Sequence, residues 1–480
     1  CPLPSVPTFC RWRSPSGNDL LLVYQKDYGE DEVLPDGKTV VSINFTGDNH
    51  GPHSYERVKK IYADLRKRYP QAQLVGASFN DVARELLLIK KDLPVVTSEI
   101  GDTWIFGYGG APIRMAKFRA VSRLYSQWLN EGKIKKDSDV ALDFAAELGL
   151  IAEHTQGVDV KTHLRQWDKY DMDKFLKGRS EGVFSMAEAS WKEIDNYIDS
   201  AIAFLPASLQ KEAREVVAEV DKVKLEDNSK MKPMARKRWE QPIAGGMTLA
   251  GLSYQMFDGD DYDDFQNRYL RARYEWALDD LGKRGLKESH AVSVTLYAQT
   301  MAQSVRKEKK GTRIITELRF PENEKVDKRV YPERIQVNCF TTKNGKRSEV
   351  ALTIYGKPAV RLPESYWLSF TVPGIESVIA EKMGERVNLM DVVEKGNRQM
   401  HGIDRYVDLI TSGETIRISS KEAFLLNVGE AQGLNYSTNY PDKRKGVHFN
   451  LNNNLWGTNF SMWNEGSLTY HFVIETLSRK

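Results

Sequence analysis

Thr39-Val40-Val41-Ser42-Ile43-Asn44-Phe45-Thr46-Gly47-Asp48-Asn49-His50-Gly51-Pro52 sets an apolar run directly against an acid, an amide and an imidazole, broken by Gly and Pro. A helical pattern follows from Tyr55 to Arg68. Strand, polar loop and helix in that order form the unit of a parallel sheet or α/β barrel, where chemistry collects at the carboxyl ends of the strands. The unit recurs twice. Gln73-Leu74-Val75-Gly76-Ala77 leads into a helix beginning near Asn80, and Leu93-Pro94-Val95-Val96-Thr97 ends in Ser98-Glu99-Ile100-Gly101-Asp102. Residues 1–135 therefore read as an α/β portion with parallel strands.

Helices dominate the next segment. Pro112 stands in the first turn of a helix running through Trp128, with Gly132 ending it. Residues 137–150 place Val140, Phe144 and Leu148 on one face, continued by Ile151. Ser185-Met186-Ala187-Glu188 has the form of a capping box before a helix reaching Phe204, and Pro206 opens another to about Val223. Residues 136–235 thus read as a helical bundle segment in which the last two helices form an antiparallel pair. Over 236–480 the texture changes to short strands at 313–320, 334–340, 349–355, 366–372, 415–418 and 447–451. Turn pairs such as Asn344-Gly345 and Pro373-Gly374 separate them, the pattern of a large β-sandwich. A charged stretch near 262–281 reads as a helical insertion.

Composition narrows the function classes. A chain of 480 residues has room for two or three domains, and 41% apolar with 28% charged residues is ordinary for a globular protein. The net charge of +3 is small and the charges are interleaved, so there is no electrostatic footprint for nucleic acid. The basic run 230–238 reads as a solvated helix end or linker. No stretch approaches the ~20 apolar residues of a membrane span. Cys1, Cys10 and Cys339 have neither disulfide-framework nor metal-site spacing. The chain opens Cys1-Pro2-Leu3-Pro4 without Met or a signal segment, which favours an incomplete chain over a mature lipoprotein. A periplasmic or extracellular location is favoured over a cytoplasmic one.

Several residues could do chemistry. Asp48, Asn49 and His50 suit either catalysis or an Asx turn that caps the following helix. Glu99 and Asp102 flank Gly101 ahead of Trp104. Paired carboxylates beside aromatic rings suit sugar chemistry, where acids handle protons and ring faces stack on pyranoses. The competing reading is a solvated loop with Trp104 in the core. His154, in Glu153-His154-Thr155-Gln156-Gly157, follows a helix end and is either a metal ligand or a structural hydrogen-bonding group. Near the carboxyl end, Asn450-Leu451-Asn452-Asn453-Asn454-Leu455-Trp456-Gly457-Thr458-Asn459-Phe460 either lines a sugar-binding cleft or caps backbone groups in a twisted turn.

Four of these motifs occur in a telling order: Thr46-Gly47-Asp48-Asn49, Val96-Thr97-Ser98-Glu99-Ile100-Gly101-Asp102-Thr103-Trp104, Glu153-His154-Thr155-Gln156-Gly157 and Asn453-Asn454-Leu455-Trp456-Gly457-Thr458-Asn459-Phe460. Together they resemble the glycoside hydrolase family 38-like proteins of class II α-mannosidase type, in a bacterial branch of uncharacterised substrate. The resemblance extends over most of the chain. It implies a seven-stranded α/β barrel, a helical bundle and a large C-terminal β-sandwich. It also implies a metal-dependent retaining glycoside hydrolase, acting on a glycan or oligosaccharide with zinc or another divalent metal. On that resemblance His154 is a metal ligand and Asp48 and Asn49 fall in the acid motif; with the residue chemistry above, Asp48, His50, Glu99 and Asp102 are the catalytic candidates, and Asn49, Trp104, Asn454 and Trp456 the carbohydrate contacts.

Two departures from the family pattern matter. Where the family shows Gly-Asp-Asp carrying the general acid, this chain has Gly47-Asp48-Asn49. That leaves Asp48, His50 or an acid elsewhere for the role. The family's His-x-Asp metal motif does not occur ahead of Asp48. A barrel of this class also needs about 200 residues, yet only three strand–helix units precede the helical region. The expectation is a chain lacking the N-terminal part of its barrel and nearly inactive alone. Such a chain would associate with itself or with the missing segment. The alternative is a non-catalytic carbohydrate-binding protein on the same fold. A metal-dependent deacetylase on a related barrel fits the long β-rich half poorly.

Overall fold

The structure is a computed structural model that describes residues 4–27, 29–47, 50–101, 104–227, 229, 231–271 and 273–477. The chain divides into two compact units, one of Leu3–Ile100 with Asp391–Gly396, the other of Gly101–Met390 and Asn397–Lys480.

In the smaller unit Phe9–Arg13 pairs antiparallel with Asp19–Val23 and parallel with Val95–Val96. Val40–Ser42 pairs antiparallel with Asp31–Val33. Three successive parallel strands do not form among the described residues, which corrects that expectation. The run at 39–45 yields a three-residue strand in a hairpin, and 73–77 forms no strand. The reasons are local. Asp36 accepts the backbone N–H groups of Lys38 and Thr39 at 2.8 and 3.1 Å, and Gly37 turns the chain at φ +67°. That turn folds 40–42 back on 31–33 before any crossover. Val75 is 70% exposed, so the second run has no layer to bury it. Helices form where the periodicity puts them: Tyr55–Arg68, capped by Ser54, and Phe79–Leu88, opened by a Ser78/Asp81 capping box. Phe9, Leu34, Val41, Leu86 and Leu93 make the small core of this unit.

Four helices of the larger unit share a core. Pro112–Asn130, Asp139–Gly149, Ser185–Ala203 and Ala207–Asp221 bring together Val121, Trp128, Phe144, Leu148, Ile198, Ile202 and Leu209. Each of the last two helices finds its main partner upstream: Ser185–Ala203 packs on Asp139–Gly149, and Ala207–Asp221 on Pro112–Asn130. The capping box expected at 185–188 is absent. Phe184 occupies the cap position, and the helix has no side-chain cap bond. Phe184 is buried, and the Ser185 N–H donates to the Gly182 carbonyl, so a tight turn already fixes the entry.

Every strand expected between 313 and 451 is present. One antiparallel sheet of ten strands runs Glu385–Asn388, Ile375–Lys382, Tyr406–Thr411, Thr415–Ser420, Gly466–Leu477. It continues with Arg347–Lys357, Arg334–Thr342, Gly311–Arg319, Gln299–Glu308 and Lys232–Pro233. The other runs Met400–Gly402, Leu425–Val428, Val447–Asn453, Glu364–Thr371, Thr248–Met256, Gln241–Pro242, with Val294–Tyr297 also on Thr248–Met256. Alternating side chains from both sheets meet face to face. Phe370 and Phe449 of the second sheet lie 5.4 and 5.1 Å, ring to ring, from Phe472 of the first. The charged insertion is helical, as Gly259–Tyr269 and Glu275–Asp280. No described helix is long and apolar enough to cross a membrane.

One buried residue makes the sandwich acid-sensitive. His448 places Nδ1 2.8 Å from the Ser369 hydroxyl, and burial pushes its ring down to about 4. The unfolded imidazole titrates near ~6.5, so below that pH the unfolded chain takes up a proton that the folded chain refuses. The His448 contribution to stability should be complete above pH ~6.5 and fall by about 3 kcal/mol as pH drops to ~4. Urea midpoints measured from pH 7 to pH 4 should show this loss, and His448→Gln should flatten it. An unchanged slope in the variant would assign the acid sensitivity elsewhere.

Candidate functional site

In the larger unit, the strand Val447–Asn453 runs into the asparagine-rich loop, where folding uses most of the amide groups. Asn454 Nδ2 donates to the carbonyls of Val360 and Met462 at 2.9 Å, and its Oδ1 accepts the Glu364 N–H at 2.7 Å. Asn453 Nδ2 donates to Asn450 Oδ1 at 2.8 Å and to the Phe106 carbonyl at 3.0 Å. These residues are buried, so the amides hold backbone together rather than line an open cleft.

The turn Trp104–Gly110 lies on this loop. Trp104 packs on Trp456 and Phe460 with ring centres 5.8 and 5.7 Å away, and Tyr108 meets Phe460 edge-on at 5.8 Å. Glycines permit the approach. A Cβ on Gly107 would sit 2.4 Å from the Phe460 ring, and one on Gly109 would sit 2.2 Å from the Asn453 amide nitrogen. Trp456 is backed in turn by Phe265 and Tyr269 of the insertion, at 5.6 and 6.1 Å. Trp456 is buried; Trp104 is half-buried and keeps part of its surface open.

Tyr108 connects this aromatic layer to the His154 turn. Its hydroxyl donates to the Ala152 carbonyl at 2.8 Å, and burial together with the Glu153 carboxylate pushes the phenol up to about 12. Glu153 accepts the Thr155 N–H at 2.7 Å and pairs with His154 Nδ1. Burial works against the Glu153 carboxylate, but these donors outweigh it and hold the group below the ordinary range. The turn is locked from beneath. Buried Gln156 donates to the carbonyls of Ile151 and Glu153 at 2.9 Å, and its own oxygen accepts Arg114 Nη1 at 3.1 Å.

Trp104, Asn454, Trp456 and His154 thus belong to one connected region of the larger unit. In the smaller unit, His50 is exposed beside Gly47, whose φ is +133°. Glu99 is half-buried, its backbone N–H donating to Asp391 and its carbonyl accepting from Val393, both at 2.9 Å. Asp48, Asn49 and Asp102 lie outside the described residues. His154 is exposed with Nδ1 engaged by Glu153. Zinc takes three or four side-chain ligands, and among the described residues no group of three His, Cys, Asp or Glu is placed to hold a metal. The described residues alone do not fit the metal that the resemblance implies.

Two polar constellations escape a reading by motif. Arg114 sits on the apolar side of its helix, and Lys357 and Glu364 meet inside the sandwich at 2.5 Å. Their signal was a charged residue inside an apolar window, as in Leu362-Pro363-Glu364-Ser365-Tyr366-Trp367. A polar cleft of about 1030 Å³ also opens between helices Pro112–Asn130 and Ala207–Asp221 and the ten-stranded sheet, lined by Arg123, Asn338, Thr353, Glu422 and His471. In it His471 Nδ1 lies 3.0 Å from Glu422 Oε1.

Residues 109–243 match the family described as a domain of unknown function, DUF5054. No curated protein matches the sequence. An α-mannosidase from Enterococcus faecalis has a similar fold at 9% identity and a TM-score of 0.50, covering 98% of this chain and 69% of that one. A glycosyl hydrolase family 38 protein from Enterococcus faecalis aligns over the same shares at 10% identity and a TM-score of 0.43. A putative aldose 1-epimerase from Escherichia coli covers 37% of this chain and 69% of its own at 10% identity, with a TM-score of 0.20. In fold, the chain is similar to that α-mannosidase.

Proposed function

We propose that the chain carries part of the machinery of a metal-dependent retaining glycoside hydrolase of α-mannosidase type, acting on a glycan or oligosaccharide. The observation that supports this most is the likeness of its fold, over 98% of its length, to an α-mannosidase. Trp104 is half-buried on the Trp456 and Phe460 rings, and an indole with exposed surface there suits stacking against a pyranose. Asp48, Glu99 and Asp102 are the carboxylates for proton transfer or nucleophilic attack, His50 is a further proton carrier, and Asn49 is a polar contact for sugar hydroxyls. His154 is the candidate ligand for zinc or another divalent metal, which needs further ligands beyond the described residues. Retaining hydrolysis requires two carboxyl groups about 5 Å apart across the scissile bond.

A second reading, a non-catalytic carbohydrate-binding protein, is favoured by Asn49, which cannot donate a proton as a carboxylic acid does. One assay separates the two. The chain is incubated with aryl α-mannosides and related glycosides, with zinc supplied, and both turnover and equilibrium binding are measured. The expected result is saturable binding, weakened by Trp104→Ala, with slow turnover that Asp48→Asn or Glu99→Gln removes. Binding with no turnover under any condition would select the second reading. Neither binding nor turnover on any glycoside would sink both.

A further inference from the structure

Beneath the Trp456 loop, half-buried Lys283 and buried Arg361 line one cavity of the larger unit. Lys283 Nζ donates to the Trp456 carbonyl at 3.0 Å. Arg361 is 2% exposed, lies under the rings of Tyr170 and Phe184 at 4.1 and 5.2 Å, and donates Nη1 to the Trp167 carbonyl at 3.3 Å. Its Nε is buried with no hydrogen-bond partner. Among the described residues neither cation is ion-paired. The other charges on this cavity are matched: Lys161 pairs with Asp280, and Arg284 lies 3.5 Å from Asp279.

Burying a charge without a counter-charge is costly, and so is an unmade donor. Burial and the Arg361 guanidinium push the Lys283 ammonium down to about 7, and burial holds Arg361 below its ordinary value. An anion between the two would relieve both costs. Size sets which anion. The cavity that Lys283, Arg361, Tyr170 and Trp167 line has a volume of about 20 Å³, whereas one water needs roughly 10–15 Å³. It suits a single particle the size of water or a halide.

We infer that the cavity between Lys283 and Arg361 binds one chloride-sized anion, which ties the insertion, the strand-leading segment at 358–363 and the Trp456 loop together. This goes beyond the proposed hydrolase reading and does not depend on it. The purified chain is unfolded by heat in potassium chloride titrated against potassium gluconate at constant ionic strength and pH, and crystals are soaked in bromide. The melting temperature should rise saturably with chloride and with bromide but not with sulfate. The soaked crystals should show an anomalous peak within hydrogen-bond distance of Lys283 Nζ and Arg361. Lys283→Met should abolish the response, and Arg361→Lys should raise the half-saturating concentration by about tenfold. No bromide peak in the cavity overturns the proposal and leaves it a water site. A chloride response that persists in Lys283→Met overturns it equally. If that variant fails to fold, the bromide peak in the unaltered chain decides.

Discussion

Replacing Lys357 by Met is expected to destabilise the larger unit by about 3–5 kcal/mol, the range for removing one partner of a buried ion pair. Lys357 Nζ lies 2.5 Å from Glu364 Oε1, and both side chains are buried, at 4% and 0% exposure. The ammonium also donates to the carbonyls of Pro358 and Asn464 at 3.1 and 2.9 Å, and the Tyr254 hydroxyl donates to Glu364 Oε2 at 2.8 Å. Met fills much the same volume, so the loss would be electrostatic rather than a cavity. It would leave a carboxylate with one donor in a site no water reaches.

The pH dependence identifies the cause. Burial already pushes the Glu364 carboxyl up, and Lys357 pulls it back. Without Lys357 it rises further, so the variant's carboxyl stays protonated in the folded state at acid pH and needs no cation. A group whose folded pKa is raised contributes stability below its unfolded pKa and loses it as pH rises through the folded value. The deficit of Lys357→Met relative to the unaltered chain should therefore grow from pH 5 to pH 8. Comparing the two chains at each pH cancels the His448 contribution. Adding Glu364→Gln, which keeps a partner for Tyr254 without a charge, should recover part of the loss. Urea denaturation of the three chains measures all of this. A deficit under 1 kcal/mol, or one independent of pH, would show that the pair carries no net cost when broken.

What the sequence made legible follows how local each signal is. The strands at 334–340 and 349–355 were readable because apolar residues alternate along them and Asn344-Gly345 turns the chain between, with Gly345 at φ +65°. The helix Tyr55–Arg68 was readable from its periodicity, and the structure adds the Ser54 cap. The run at 39–45 misled because a strand's partner is not written in the strand. Asp36-Gly37, just upstream of the run, made it an antiparallel hairpin. Ser185 misled because cap chemistry depends on how the chain enters the helix, and buried Phe184 set that entry.

The site divides the same way. The stretch Asn453 to Phe460 stood out by composition, but its use depends on contacts made by residues far away in sequence. Asn453 bonds to Phe106, 347 positions distant, and Asn454 to Val360 and Leu362. A window of sequence shows amides and an indole; only the fold shows that the amides are spent on backbone and that Trp104 is half-buried against Trp456 and Phe460. Arg114 and Lys283 carried no motif at all, because such a charge is recognised by what surrounds it.

Arg114→Met should cost about 3 kcal/mol, since hydrogen bonds to charged groups contribute roughly 1.5–3 kcal/mol each and are not additive here. Arg114 ties three segments with one guanidinium: Nε to Asp195 at 2.6 Å, Nη1 to Gln156 at 3.1 Å and Nη2 to the Trp191 carbonyl at 2.8 Å. Asp195 is 56% exposed and would return to water, so its charge is no penalty. Gln156 is different. It is buried, and its amide holds the carbonyls of Ile151 and Glu153 only while its oxygen is anchored by Arg114. Released, it would leave the turn carrying Glu153 and His154 to open locally. Hydrogen exchange should therefore show the amides of 151–158 losing protection by more than the global loss explains, while the Pro112–Asn130 helix itself loses only the global amount. Arg114→Lys should rescue little, because one ammonium cannot donate along three fixed directions. Uniform loss across the four-helix core, with 151–158 no worse than the rest, would make Arg114 a general packing residue; selective loss at that turn would establish that the position of His154 is set from beneath, by a charge 40 residues upstream.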